Sequence, residues 1–238
     1  MSDLIPWAET RCSIELGRGV AGTVFLFRHA VSKIPVAAKL VEYPGECFRN
    51  EVRIHQAISG LPWFPTFYGS FDIADDQTVL AMEFVGNKSE DQGLKALHSN
   101  GFLCNDLKED NVLVVEESGL WQTKIINLGW ASEIATPFVM PLDEEQIDFY
   151  RSCRGCCHIA PECVLDARPC STSSDVYSLG RLLASIGRAM RYDDFEFSST
   201  QIYLADEEQR PTVQEIIDQL YKMRLAAEGE DGPGSSSC

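Results

Sequence analysis

The sequence predicts an α+β fold, strand-rich over its first 85 residues and helical after them. Two observations lead there. Residues 13–17, 23–29, 34–43, 67–71 and 79–84 are rich in β-branched, aromatic and other apolar residues and are broken by Gly, Pro and acidic turns, which suits a pleated surface. Later in the chain the apolar residues recur at helical spacing, as in Val176, Leu179, Leu183, Ile186 and Met190.

The elements follow in order. Residues 13–17 and 23–29 read as strands joined by a glycine-rich turn, and 34–43 as a third strand. Residues 46–58 suit a short helix with Phe48, Val52 and His55 on one face and Glu51 beside them. Two further strands follow at 67–71 and 79–84. Residues 91–99 read as the end of a helix, and Val112, Leu113 and Val114 as a short strand. A long helix covers 175–190. Thr212 and Glu215 form a capping box that opens the last helix, whose buried stripe is Val213, Ile216, Ile217 and Leu220. From Glu228 the chain is Gly, Ser and acid, so 228–238 reads as a disordered tail. There is no internal repeat.

Composition narrows the function. The chain has 238 residues and is 45% hydrophobic, ordinary for a folded domain, with a formal net charge of -16. That charge argues against nucleic acid or an anionic membrane as partner, because phosphates would be repelled. No apolar run reaches the roughly 18 residues of a membrane span. The opening Met-Ser-Asp-Leu-Ile-Pro-Trp has no basic region and no long apolar core, so no secretory signal is read there. The expectation is a cytoplasmic or nuclear protein whose nine cysteines are thiols.

Three motifs carry chemistry. The first is Cys104-Asn105-Asp106-Leu107-Lys108-Glu109-Asp110-Asn111, leading into the short strand. An Asp, a Lys two residues on and an Asn five residues on form the catalytic-loop pattern of phosphoryl transfer. There the Asp takes the proton of the attacking hydroxyl, the Lys supplies positive charge and the Asn holds Mg²⁺. The second is Gly17-x-Gly19-x-x-Gly22-x-Val24. In a dinucleotide fold such glycines open a helix. Here they lead into the strand formers Thr23-Val24-Phe25-Leu26-Phe27, so the loop is either an ordinary glycine hairpin or a flap over ATP phosphates. The third is Val36-Ala37-Ala38-Lys39. A Lys in an apolar strand requires an acidic partner or a phosphate unless it reaches water. Glu51 is the candidate partner.

Together these residues resemble the eukaryotic protein kinase family, from about Ile14 to Leu225. The resemblance implies a two-lobed kinase-like fold over residues 1–227. Its lobes would be a mainly β N-lobe (about 1–85) and a shortened, mainly α C-lobe (about 86–227). It implies that Lys39 holds nucleotide phosphates and pairs with Glu51. Met82 would be the gatekeeper, Glu83 to Val85 the adenine-receiving hinge, and Val24, Ala37 and Leu113 the adenine sandwich. Asp106 would be the catalytic base, Lys108 the charge stabiliser and Asn111 a metal ligand. Ala160-Pro161-Glu162 resembles the end of the activation segment. Asp175-Val176-Tyr177-Ser178-Leu179-Gly180 resembles the start of the long central helix. Arg210-Pro211-Thr212 resembles the late motif whose Arg pairs with Glu162. Lys108 matches the serine/threonine type. The implied cofactors are ATP and Mg²⁺, and the implied partner is a protein.

The sequence also departs from that family. Asn127-Leu128-Gly129 stands where the family has D-F-G, so a neutral carbonyl replaces a carboxylate at the second metal ligand. The expectation is a weakened Mg²⁺ site, with Mn²⁺ as an alternative, and a misplaced γ-phosphate, an error that can cost on the order of a hundredfold in rate. Cys104 and Asn105 replace the His and Arg before Asp106. Cys104 joins an internal stack with Phe67, His55 and Leu128, and the lost Arg removes a receptor for activation-loop phosphate. The Thr usual before A-P-E is also missing. About twenty residues separate hinge from catalytic loop, roughly half the family's usual spacing. Hence a pseudokinase, a nucleotide-binding or interaction scaffold, is the alternative to a slow enzyme. Cys153-x-x-Cys156 has zinc-knuckle spacing but no second pair follows, so thiols are the reading. Asp143, Glu144, Glu145 and Asp148 read as a solvated loop, and Glu109 and Asp110 as surface acids.

Overall fold

The structure is a computed structural model and describes residues 14–19, 22–28, 32, 34–74, 76–85, 93–117, 120–136, 138–153, 158–191 and 193–230. The chain divides into two compact units, Met1–Met140 and Pro141–Cys238.

The first unit is built on a five-stranded antiparallel sheet of order β1-β2-β3-β5-β4. Its strands are β1 (Ile14–Gly19), β2 (Gly22–Arg28), β3 (Pro35–Glu42), β4 (Phe67–Ala74) and β5 (Gln77–Glu83), with helix α1 (Glu46–Ala57) after β3. These are the strands and the helix expected from the sequence, with ends shifted by a few residues. The register sets Val24 opposite Lys39, Leu80 opposite Lys39 and Met82 opposite Ala37. Because side chains alternate along a strand, Val24, Ala37, Lys39, Leu80 and Met82 share one face. Phe48 of α1 packs on that face with Ala37, Leu80 and Met82. Phe27, Ala38 and Val79 form a second cluster on the other face.

The chain continues through α2 (Gly93–Ser99), β6 (Phe102–Leu103), a 3₁₀ turn at Glu109–Asn111, β7 (Val112–Glu117), β8 (Leu120–Ile125) and β9 (Ser132–Glu133). β7 and β8 form a hairpin, and β6 pairs with β9. Residues 91–99 do contain a helix, as read. β8 was not expected, and it completes the pairing of the expected Val112–Val114 strand.

The second unit is helical among its described residues: α3 (Glu144–Cys153), α4 (Pro161–Leu165), α5 (Thr172–Met190), α6 (Asp193–Leu204) and α7 (Val213–Glu230). α3 corrects the expected acidic loop. The Asp143 carboxylate accepts from the Gln146 N–H at 2.8 Å, and the Gln146 side chain accepts from the Asp143 N–H at 3.0 Å. The reciprocal pair is a capping box, and the acids sit where a helix N-terminus favours them. α5 opens on a box between Ser171 and Ser174. It carries Gly180 against α6, where an added Cβ would lie 2.9 Å from Ile202. α7 opens on the expected box: Glu215 accepts from the Thr212 N–H at 2.7 Å, and Thr212 accepts from the Glu215 N–H at 3.2 Å. This helix runs through residues 228–230, while 231–238 lie outside the described residues. No helix of the described residues is long and apolar enough to cross a membrane.

Candidate active site

Lys39 is only 6% exposed and Glu51 only 2%. The Lys39 ammonium donates to both Glu51 carboxylate oxygens, at 3.0 and 2.8 Å. A buried ammonium is costly unless compensated in this way. α1 supplies the partner because its buried face carries Phe48, Glu51, Ile54 and His55, one face at helical spacing.

Lys39 also donates to Asn127 Oδ1 at 3.4 Å. Asn127 Nδ2 donates to Asn111 Oδ1 at 3.1 Å. Asn111 Nδ2 donates at 2.7 Å to Asp106 Oδ2 and at 2.7 Å to the Asp106 carbonyl. Lys108 Nζ donates to Asp106 Oδ1 at 3.1 Å. Six of the residues singled out in the sequence therefore form one chain of bonds, Glu51–Lys39–Asn127–Asn111–Asp106–Lys108. Local backbone holds the far end in place: Asn111 closes the 3₁₀ turn through its N–H to the Lys108 carbonyl at 3.0 Å, and its own carbonyl accepts from Ile126 N–H at 2.9 Å. Asn127 has φ 60 and Asn105 φ 62, left-handed positions that Asn tolerates better than most residues.

The two side chains given to a metal by the family resemblance are Asn111 and Asn127. Each amide oxygen already accepts an N–H, from Asn127 and Lys39 respectively. Mg²⁺ requires oxygen ligands in near-ideal octahedral geometry and favours carboxylate. As arranged, the amide pair offers it no anionic oxygen, and this donor set does not fit a divalent cation. Glu109 and Asp110 nearby are exposed.

Of the remaining expected positions, Val24, Ala37 and Met82 belong to one apolar cluster. Val85 is buried just past β5, and Leu113 stands on β7 at 36% exposure, not part of that cluster. Glu83 uses its side chain on the protein: Oε2 accepts from Lys124 at 2.9 Å and from the Thr66 N–H at 3.0 Å. Burial pushes the Glu83 carboxyl up, but the bonds from Lys124 and Thr66 outweigh it and hold it below its ordinary value. Gly17 and Gly19 face open space. Gly22 has φ 125, and a Cβ there would run into the Leu40 carbonyl, so only glycine fits. Val20 and Ala21 between them lie outside the described residues.

The expected internal stack is partly visible. His55 lies over Phe67 with ring centroids 6.0 Å apart and planes 17° apart, while Cys104 and Leu128 are both buried. Neither His55 nitrogen has a hydrogen-bond partner. Burial, with the Lys39 charge adding to it, pushes this imidazole down to about 4.

Three residues that hold the site together were not singled out for this role. Asn105 donates to the Trp130 carbonyl at 2.8 Å and to Ser132 Oγ at 2.9 Å. Asn50 donates to the Ala131 carbonyl at 2.6 Å. Both tie neighbouring elements to the segment that follows Asn127. Lys124, 4% exposed, ties β8 to the end of β5 through Glu83. The readable signal for Asn105 was its tolerance of positive φ.

In the second unit Arg210 grips Glu162 with two parallel bonds, at 2.5 and 3.0 Å, as the resemblance implies. Cys163 and Cys170 are buried free thiols. The hydrogen bond between them lowers the Cys163 thiol and raises that of Cys170. Cys153 ends α3, and Cys156, the other half of the zinc-knuckle spacing, lies outside the described residues. Among the described residues no group of three or more His, Cys, Asp or Glu could hold a metal ion.

The protein kinase domain family model matches residues 91–222. Two curated proteins are similar over most of the chain. Mitogen-activated protein kinase kinase 5 of Leishmania mexicana is 27% identical over 210 residues, covering 78% of this chain and 38% of its own length. CDPK-related kinase 5 of Arabidopsis thaliana is 26% identical over 236 residues, covering 83% of this chain and 37% of its own length. The chain thus spans under two fifths of the length of these relatives.

Proposed function

The chain belongs to the eukaryotic protein kinase family, and from that premise we propose that it binds ATP and moves the γ-phosphate, slowly, to Ser or Thr of a protein substrate. The observation that carries this reading is the unbroken chain of bonds from Glu51 to Lys108, which couples a buried ammonium to a carboxylate through two amides. The proposed kinase domain is residues 1–227, with the lobes read from the sequence.

In this reading Gly17, Gly19 and Gly22 cover the phosphates with backbone N–H groups. Val24, Ala37 and Leu113 sandwich adenine, with Met82 behind it and the backbone of Glu83 to Val85 at its edge. Lys39 holds phosphate oxygens, oriented by Glu51. Asp106, with both oxygens held by Asn111 and Lys108, accepts the proton of the substrate hydroxyl. That oxygen bonds to the γ-phosphorus, the bond to the β–γ bridging oxygen breaks, and ADP leaves. A divalent cation would supply charge neutralisation to the phosphates. The Asn111–Asn127 amide pair offers it no anionic oxygen, and the lack of that contribution is why the transfer is slow. The proposal includes a cytoplasmic or nuclear location and a protein as partner.

The second reading is a pseudokinase scaffold, and the neutral amide at position 127 favours it. Phosphate incorporation with Mg²⁺ or Mn²⁺, by wild type, Asn127→Asp and Asp106→Asn, separates the two. Slow transfer predicts at least about a tenfold gain for Asn127→Asp, in line with the worth of a well-placed catalytic charge, and no transfer at all by Asp106→Asn. If no protein differs from buffer, the transferase reading is lost and the scaffold reading stands.

A further inference from the structure

The Asn111–Asn127 pair says more than that a metal ligand is missing. Its orientation is dictated from both ends. Lys39 has only donors, so Asn127 must turn its oxygen toward it. Asp106 is an acceptor on the other side, so Asn111 must turn its nitrogen toward the carboxylate. Asn127 Nδ2 and Asn111 Oδ1 are left facing each other at 3.1 Å, a donor against an acceptor. An N–H is thus directed at the very oxygen that the family uses to ligate a cation.

The charge balance agrees. Two ammonium groups, Lys39 and Lys108, stand against two carboxylates, Glu51 and Asp106, and the amides add nothing. A carboxylate at 127 would make the group negative and leave a cation to balance it. With an amide there is no deficit. A cation entering between Asn111 and Asn127 would have to break the 3.1 Å bond and approach the Lys39 ammonium, a like charge. A triphosphate without metal is more negative than its Mg²⁺ complex, and it is repelled least where the extra carboxylate is absent. The longest link in the chain, Lys39 to Asn127 at 3.4 Å, is the one that a phosphate oxygen can take over.

We infer that this chain holds ATP as the metal-free tetraanion, with the Asn127 amide N–H standing where a divalent cation would otherwise bridge. This rests on the nucleotide-binding half of the reading above. The test is the ATP dissociation constant of the full chain by calorimetry, once with excess EDTA and once with Mg²⁺. The expected result is less than a fivefold difference between the two, with binding abolished by Lys39→Met and made dependent on Mg²⁺ by more than fivefold in Asn127→Asp. A wild-type affinity that rises fivefold or more on adding Mg²⁺ overturns the inference and leaves nucleotide binding intact. No heat of binding under either condition overturns nucleotide binding itself, and the inference with it. The wild-type comparison decides the matter even where Asn127→Asp fails to fold.

Discussion

Lys39–Glu51 in the first unit and Arg210–Glu162 in the second are both buried ion pairs in which both carboxylate oxygens are engaged. They differ in what the cation does with its other donors. Lys39 turns its remaining N–H to an amide, which leads through one more amide to the Asp106 carboxylate. Arg210 turns two more of its N–H groups to the carbonyls of Ser173 and Ala205, at 3.2 and 3.3 Å, and lies with its guanidinium carbon 5.1 Å over the Tyr177 ring. The first pair opens a polar chain that ends on Asp106, the proposed catalytic carboxylate. The second is closed off by backbone and an aromatic face. Burial and pairing therefore do not tell a site from a scaffold, whereas the destination of the spare donors does.

That contrast is broken most directly by removing each pair. Arg210→Ala leaves Glu162 buried and alone, and Lys39→Met does the same to Glu51. Each is expected to cost about 3–5 kcal/mol in denaturant unfolding. Replacing both partners with apolar residues, as in Arg210→Met with Glu162→Leu or Lys39→Met with Glu51→Leu, is expected to return most of that loss. Only the Lys39/Glu51 double variant then fails to bind ATP. Loss of ATP binding in the Arg210/Glu162 double variant would erase the distinction drawn between the pairs.

His55 gives a smaller effect, confined to the first unit. Its imidazole titrates near 4 in the folded chain, against 6.5 ordinarily. The unfolded chain takes up the proton first as pH falls, so stability is intact above about 6.5 and is lost progressively down to about 4. The shift corresponds to about 3 kcal/mol at the end of that window. His55→Leu should flatten the acid limb and gain about 1 kcal/mol at pH 7, because two unpartnered buried nitrogens disappear. Urea titrations of both proteins between pH 7.5 and about 4 check this. An unchanged acid limb in the variant would assign acid lability to other groups.

The strands of the sheet, α1 and the long helices were legible because their apolar residues repeat at periods of two or 3.6. Lys39, Glu51, Asp106, Lys108 and Asn111 were legible because phosphoryl transfer needs those side chains in that order. The rest was hidden for physical reasons. Asn105 reads as the loss of an Arg, and its bonds to Trp130 and Ser132 arise only once its backbone turns left-handed. Lys124 looks like a surface residue of a short strand until β8 packs it beneath Glu83. In the sequence Asn127 reads as a defect. Its role as a bridge depends on which way two amides face, and only their partners in space decide that. The 143–148 acids look like a loop by charge alone, but the Asp143-x-x-Gln146 spacing is that of a capping box and starts a helix there.

The finest test of the contrast is additivity. Ser171 caps α5 by accepting from the Ser174 N–H at 3.2 Å, and two residues later the Ser173 carbonyl takes a bond from Arg210. Ser171→Ala should cost about 1 kcal/mol alone. Because the cap positions the carbonyl that Arg210 uses, its effect and that of Arg210→Ala should fail to add by about 0.5 kcal/mol or more, as for residues in one network. With Lys39→Met, whose bonds share no partner with Ser171, the two costs should add to within about 0.5 kcal/mol. Unfolding free energies of the three single and two double variants supply both cycles. Equal coupling in the two would mean that the closed pair is no more bound to its own backbone than the open one, and the division between scaffold and site would have to be drawn elsewhere.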